Sequence, residues 1–168
     1  MLNVETKELI QEAYELHLAG KLTGAEQLYK EILQAQPEHI DALFSLGTLN
    51  IQQGRYDTAC ICFIKTLKLM PDHATAHCNL GTALQRLGKY EEAINNFRTL
   101  VEEYPDNVQY NYDLAVNLGN KFYHNSRDEN DLEEALKIYY KVKEVSPKYE
   151  HLEENIKVLE EVKQILES

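Results

Sequence analysis

Histidine and cysteine side chains are the residues of this sequence whose types could bind a metal ion. His73 and His77 are four residues apart, a spacing with which two histidines on one helix face hold zinc. His77, however, belongs to a predicted packing face and His73 to a turn, so a structural role is favoured. Cys60 and Cys62 are two residues apart, and on a helix their side chains point about 200° apart, which prevents joint coordination. We therefore predict no metal site.

Adjacent glutamates offer carboxylates for acid–base catalysis, for example Glu91 with Glu92, Glu102 with Glu103, Glu133 with Glu134, and Glu153 with Glu154. They fall near helix starts or on solvent faces, where no apolar pocket raises a carboxyl pKa toward the range that acid catalysis needs. Phosphate-binding loops, nucleophile elbows and dinucleotide-binding glycine motifs do not occur in the sequence. We predict that the chain is not an enzyme and needs no cofactor.

The charge balance limits the partners. The chain has 28 acidic and 17 basic residues, a net charge of −11, which disfavours nucleic acid and anionic membranes as ligands. No apolar window is long enough to span a membrane, and the first residues lack the pattern of a secretory leader. The three cysteines are too few and too oddly placed for a disulfide framework and fit a reducing compartment. We predict a cytoplasmic protein without membrane insertion.

The sequence contains a repeat of fixed length. Pro37, Pro71 and Pro105 are 34 residues apart. Counting from Ile40 and from Ala74 gives the same residue types at the same positions: Leu46, Gly47, Gly54, Tyr56, Ala59 and Phe63 correspond to Leu80, Gly81, Gly88, Tyr90, Ala93 and Phe97. Counting from Thr6 gives a looser copy. Such a period indicates helix pairs stacked along the chain.

Small residues in this pattern indicate close helix packing. Gly47 and Gly81 lie inside helical patterns, where glycine costs about 1 kcal/mol relative to alanine, so a close approach of helices must favour them. Small side chains also recur on the facing helix, and an aromatic residue follows each of them one turn later on the same face. These are Ala25, Ala59 and Ala93, followed by Tyr29, Phe63 and Phe97.

The pattern resembles the tetratricopeptide repeat family, whose unit is a 34-residue helix-turn-helix. The resemblance implies an all-α solenoid, a right-handed superhelix of four repeats followed by a C-terminal capping helix. Continuing the count divides a single domain, residues 1–168, into repeats at 6–39, 40–73, 74–107 and 108–149 and a capping helix at 150–168. A dimerisation helix, or the first half of a fifth repeat, is the alternative for the last segment.

The fourth repeat is longer than the others, because its later landmarks arrive eight residues late. We place the insertion near residues 119–130, between the two helices of the pair. Asn130 followed by Glu133 predicts a capping box for the second helix. The insertion is either a binding loop or a tolerated surface loop or extra helical turn. Asp72 and Asp106 are likewise predicted to cap the helices that follow them.

In the tetratricopeptide repeat family, the first helices of successive repeats line a concave groove, and the resemblance implies a protein or peptide partner there. Position by position, it gives these candidate groove residues: Tyr14, Phe44, Thr48, Ile51, Cys78, Asn79, Thr82, Gln85, Arg86, Tyr112 and Val116. The charged residues at such positions are Lys7, Asp41, Arg86 and Asp113.

The identities of the groove residues favour one kind of partner over others. The clamp of basic residues with which co-chaperones of this family grip acidic termini is not matched. Of the asparagine ladder of the glycosyltransferase branch only Asn79 remains. An extended peptide or a helix with apolar anchors therefore suits the groove better.

The predicted function is a protein-interaction scaffold. Two alternatives stay open: a regulatory or substrate-recruiting arm of a larger, transferase-like enzyme, and a scaffold that self-assembles into homo-oligomers through its terminal helices.

Overall fold

The computed structural model describes residues 4–168, with side chains from Thr6 onward. The sequence pattern predicts a first helix from about Asn3 to Ala19 with Val4 on its packing face; Asn3 and the Val4 side chain lie outside the described part. Within it the chain forms nine α-helices and one π-helical turn, and no strand, as the sequence predicts. The helices are α1 (Val4–Leu18), α2 (Leu22–Ala35), α3 (Ile40–Gln52), α4 (Tyr56–Leu69), α5 (Ala74–Arg86), α6 (Tyr90–Glu103), α7 (Val108–Lys121), α8 (Glu129–Val145) and α9 (Leu152–Leu166), with the π turn at Phe122–Ser126.

The helices group into two compact units, Met1–Leu87 and Gly88–Ser168. In the first unit, consecutive helices from α1 to α5 pack on one another, and α3 also contacts α1 and α5. In the second unit, α7 packs between α6 and α8, and α9 packs on α8. Helices α3, α5 and α7 begin at the first residues of the second, third and fourth predicted repeats. No helix in the described part is long and apolar enough to cross a bilayer.

The turns within and between the repeats follow from local chemistry. Gly20, Gly54 and Gly88 have φ values of 72°, 71° and 71°, a left-handed conformation that glycine adopts without strain at the end of a helix. The N-caps differ from the prediction. His73 and Asn107, rather than Asp72 and Asp106, accept the backbone N–H groups of the helices that follow, because the capping position is one residue later than predicted.

The core of the first unit is made of the predicted small and aromatic positions. Ala25, Ala59, Tyr29 and Phe63 are fully buried. A Cβ atom at Gly47 would lie 2.7 Å from Phe63 Cε1, so the missing side chain makes room for this aromatic ring. The close approach that the sequence predicts at this glycine is therefore made by the ring of α4.

The insertion in the fourth repeat is an ordered π turn, which corresponds to the extra helical turn among the predicted alternatives. Phe122 is buried, and the Arg127 guanidinium lies 5.7 Å from its ring centroid. The predicted capping box at Asn130 is wrong, because Asp128 is the N-cap of α8 and its carboxylate accepts the Asn130 backbone N–H. Asp131 is buried and bonds to Lys121 and Ser126. These contacts fix the turn against α7 and α8.

The last helix begins two residues after the start of the predicted segment 150–168, at Leu152, after His151 in a left-handed conformation. Leu152, Ile156 and Leu159 form its buried stripe. Lys157, at the position that is glycine or alanine in the earlier repeats, is exposed, so the outer face of this helix is polar there.

Candidate functional site

The predicted groove residues of the first unit lie on α1, α3 and α5 and differ in accessibility. Tyr14, Thr82 and Arg86 are exposed, and the others are half-buried: Phe44, Thr48, Ile51, Cys78, Asn79 and Gln85. On the same face the His17 ring connects three helices, with Nε2 3.1 Å from Gln52 Oε1 on α3 and Nδ1 3.4 Å from the Tyr29 hydroxyl on α2.

Phe44 contributes to packing as well as to the predicted surface. Its ring stacks on His73, with the centroids 4.7 Å apart, and lies 5.9 Å from the ring of Phe63. His73 is at the same time the N-cap of α5, because its Nδ1 accepts the backbone N–H of Ala76 at 3.3 Å. Phe44 therefore supports the contact between α3, α4 and the start of α5, and only part of its ring is accessible.

The two threonines among the predicted residues use their hydroxyl protons within their own helices. Thr48 Oγ1 donates to the carbonyl of Phe44 at 3.1 Å, and Thr82 Oγ1 donates to the carbonyl of Cys78 at 3.0 Å. Each hydroxyl oxygen can still accept a hydrogen bond. These positions are therefore suited to acceptor contacts.

The first helix of the fourth repeat borders a cavity in the second unit. The cavity has a volume of about 170 Å³ and lies between α7 and α9, with the π turn at one end. A Cβ atom at Gly119 would lie 3.7 Å from both methyl groups of Leu159, an ordinary contact distance, so α7 has room for a small side chain beside α9 here. The lining combines apolar and amide side chains: Val116, Gly119, Asn120, Tyr123, Tyr139, Asn155, Val158 and Leu159.

Tyr112 lies in an aromatic cluster beside this cavity. Its ring centroid is 4.6 Å from that of Tyr149 and 5.7 Å from that of Tyr139, and its hydroxyl accepts a hydrogen bond of 2.9 Å from Asn155 Nδ2. Burial raises the pKa of Tyr112 and of Tyr139, so both hydroxyls stay protonated. Tyr112 has the same position in the fourth repeat as Phe44 in the second. Each ring packs on a residue of the turn before the next first helix, Tyr149 for Tyr112 and His73 for Phe44.

Asp113, the next residue of α7, is half-buried. The Gln109 side-chain amide donates to its Oδ2 at 2.9 Å, and Gln109 in turn accepts the Tyr149 hydroxyl proton. Burial raises the pKa of the Asp113 carboxyl, and the hydrogen bond from Gln109 opposes that effect.

The structure brings Val116 together with cavity residues that the sequence reasoning missed, Tyr123, Asn155 and Val158. Tyr123 lies on the π turn, and Asn155 and Val158 lie on α9, the helix that the sequence predicts to be a cap. Counting a fifth repeat from Glu150 would have placed Asn155 and Val158 at the positions that Asp113 and Val116 occupy in the fourth repeat, counted from Val108. The 34-residue count, continued beyond Pro147, would therefore have identified these residues.

The part of the chain that the structure describes contains no group of three His, Cys, Asp or Glu side chains that could hold a metal ion. The two histidines with zinc-like spacing have other contacts. His73 caps α5, and His77 Nε2 donates to the carbonyl of Pro71 at 3.0 Å.

Three sequence models described as tetratricopeptide repeat match residues 16–59, 38–104 and 78–148. The chain belongs to the tetratricopeptide repeat family. Comparison with curated protein sequences finds no match. The resemblance seen in the sequence and the predicted all-α repeat fold are thereby confirmed.

Solved structures give the same fold. A MamA double mutant (RS-1) is 19% identical with a TM-score of 0.85, over 97% of this chain and 87% of that one. YrrB, described as a TPR protein with an unusual peptide-binding site, is 22% identical with a TM-score of 0.80, over 93% and 76%. A Thermobaculum terrenum O-GlcNAc transferase mutant is 25% identical with a TM-score of 0.66, over 86% of this chain and 27% of that one. The MamA and YrrB matches concern the fold alone.

Proposed function

We propose that the chain is a protein-interaction module that binds an extended or helical segment of a partner protein on the face of its first helices. The cavity between α7 and α9 carries this proposal. Val116 and Val158 can contact an apolar side chain of the segment, and the amides of Asn120 and Asn155 can bind its backbone. The peptide-binding site described for YrrB, which has the same fold, supports this use of the surface.

Preorganisation is the physical basis of the proposed binding. The Tyr112 hydroxyl accepts a hydrogen bond from the Asn155 amide, and the Leu159 side chain is buried at the cavity wall, so both are in place before a partner arrives. Little side-chain entropy is then lost on binding, which favours affinity. In the first unit the proposal assigns apolar contacts to Tyr14, Phe44 and Ile51 and polar contacts to Asn79, Gln85 and Arg86.

Selection of a displayed random-peptide library on the purified chain tests the proposal. Val158→Asp puts a charge into the cavity, and Val145→Asp is a matched control because Val145 lies at the end of α8 and is 67% exposed. We expect enriched peptides to lose at least about tenfold in affinity with Val158→Asp, since a bound apolar residue would desolvate the new carboxylate without pairing it. Val145→Asp should change affinity by less than about twofold. Failure to enrich any peptide, or equal losses in both variants, would refute the proposal.

A transferase arm is the second candidate, because the matching O-GlcNAc transferase is 25% identical and this chain covers 27% of it. In this role the same surface would recruit substrates for a catalytic domain. A catalytic domain in the same reading frame would favour this candidate, and a reading frame without one would restrict it to action in trans.

Association of copies through the terminal helices is a further candidate, supported by exposed apolar side chains there. Leu18 at the end of α1 is 71% exposed, and Ile165 near the end of α9 is 72% exposed. Light scattering over a range of concentrations distinguishes an associating chain from a monomer.

A further inference from the structure

Asp113 is a half-buried carboxylate without a cationic partner, in contrast to Glu26 and Asp131. Glu26 bonds to Arg55 and Lys30, and Asp131 bonds to Lys121. Among the residues that the structure describes, no Lys, Arg or His nitrogen lies within 4.0 Å of the Asp113 carboxylate.

The surroundings of this carboxylate hold it in place without neutralising it. Gln109 donates to Oδ2 at 2.9 Å and is itself fixed by the Tyr149 hydroxyl. Oδ1 accepts no hydrogen bond from the described residues, and it is not among the fully buried atoms without a partner. The charged groups that act on the neighbouring Tyr112 are Glu150 and Glu154, both acidic. The Oδ1 atom of the oriented Asp113 carboxylate is thus available to a hydrogen-bond donor of another molecule. The neighbouring charges are negative, which favours a cationic donor.

The position of Asp113 relates it to the cavity between α7 and α9. Val116, which lines the cavity, is three residues later on the same face of α7, a rise of about 4.5 Å along the helix. Lysine and arginine have long apolar stems that pack on such surfaces while their charged ends reach a neighbouring anion. A segment with an apolar residue in the cavity can therefore place a nearby cationic side chain on Asp113.

We propose that Asp113 binds a lysine or arginine side chain of the partner segment whose apolar residue occupies the α7–α9 cavity. This inference rests on the proposed function and specifies the chemistry of its partner. Charge complementarity argues for it, because the chain has a net charge of −11 and the carboxylate at this site has no cation among the described residues. Partial desolvation strengthens an ion pair formed here relative to one in bulk water.

The burial of Asp113 supports a functional rather than a structural role. Burial raises the pKa of its carboxyl, so the ionised form is less stable in the folded chain than in water. The destabilisation is absent below the ordinary pKa of the carboxyl, grows as the pH rises above that value, and is complete above the raised folded pKa. The ionised Asp113 carboxyl therefore opposes folding at neutral pH, although a neutral amide could take its place. A costly charge of this kind fits a binding role.

The test uses the peptides selected on the wild-type chain. We expect them to share a lysine or arginine at a fixed distance from their apolar residue. Asp113→Asn, which keeps the shape of the side chain, should weaken their binding at least about tenfold. Asp57→Asn is the matched control, because Asp57 is an exposed carboxylate on α4, outside the predicted groove. It should change affinity by less than about twofold.

A peptide variant isolates the contact. Replacing its cationic residue by norleucine should weaken binding to the wild type and have little further effect on Asp113→Asn, as in a double-mutant cycle. Peptides without a shared cation, or peptides insensitive to Asp113→Asn, would overturn this inference and leave the proposed function intact. A selection that enriches no peptide would overturn both.

Stability gives a readout that needs no partner. The urea midpoint of Asp113→Asn at pH 7 should equal or exceed that of the wild type, because the variant removes a desolvated charge. A clearly lower midpoint would show that the carboxylate stabilises the fold and would overturn the binding role.

Discussion

Substituting Gly47 by alanine measures how tightly the repeat is packed. The new Cβ atom would lie 2.7 Å from Phe63 Cε1, 2.9 Å from Cζ and 3.0 Å from Cδ1. Phe63 is fully buried and its ring is held by Phe44, so it cannot move aside freely. Overpacking of this kind costs about 1–3 kcal/mol, whereas alanine in a helix gains about 1 kcal/mol over glycine. We expect a net loss of up to about 2 kcal/mol in the free energy of unfolding.

Gly119→Ala is the matched control, because it makes the same change in a helix with room for it. Its Cβ atom would lie 3.7 Å from the Leu159 methyl groups, an ordinary contact, so only the helical gain remains. We expect this variant to be about 0.5–1 kcal/mol more stable than the wild type. Urea unfolding followed by far-ultraviolet circular dichroism measures both variants, with the midpoints as the comparison, since the chain has two compact units.

A double mutant identifies the ring as the cause. In a Phe63→Leu background the ring edge is gone, and Gly47→Ala should cost clearly less than in the wild type. The packing argument fails if Gly47→Ala is as stable as Gly119→Ala, or if its cost is the same in both backgrounds.

Two further predictions concern the caps and the charges. His73→Ala should lower the free energy of unfolding by about 1 kcal/mol more than His73→Asn. The reason is that asparagine can accept the Ala76 backbone N–H, as Asn107 accepts that of Tyr110 at the start of α7. Thermal unfolding of the two variants measures the difference, and equal losses would show that His73 does not act as a cap. Arg55 and Lys30 lower the pKa of Glu26, so the carboxylate contributes stability above its ordinary pKa of about 4.5, which is lost as the pH falls through the lower folded value. Glu26→Gln should remove that part of the pH dependence of stability. The effect should be less than about 1 kcal/mol, because Arg55 and Lys30 are largely exposed. If the urea midpoint depends on pH in the same way in the variant and the wild type, these ion pairs do not contribute to stability.

The sequence by itself determined the repeated architecture. The 34-residue period predicts the helices, and α3, α5 and α7 begin at the residues it gives. It also predicts the buried alanines and aromatics, because each repeat must present the same small and large side chains to its neighbours. These features depend on residue types at fixed short spacings, which are visible in one sequence.

The tertiary structure decided the parts of the site that depend on distant contacts. The order of the π turn follows from the burial of Phe122, and the hydrogen bond between Tyr112 and Asn155 joins residues 43 positions apart. The sequence predicts Val116 on a groove and α9 as a cap, and so it does not reveal the cavity between them. It places Asp113 among the charged groove residues, yet only the packed structure shows that its carboxylate has no cation among the described residues. The physical reason is that burial and pairing of a charge are set by which surfaces meet in three dimensions, and spacing along the chain does not fix them.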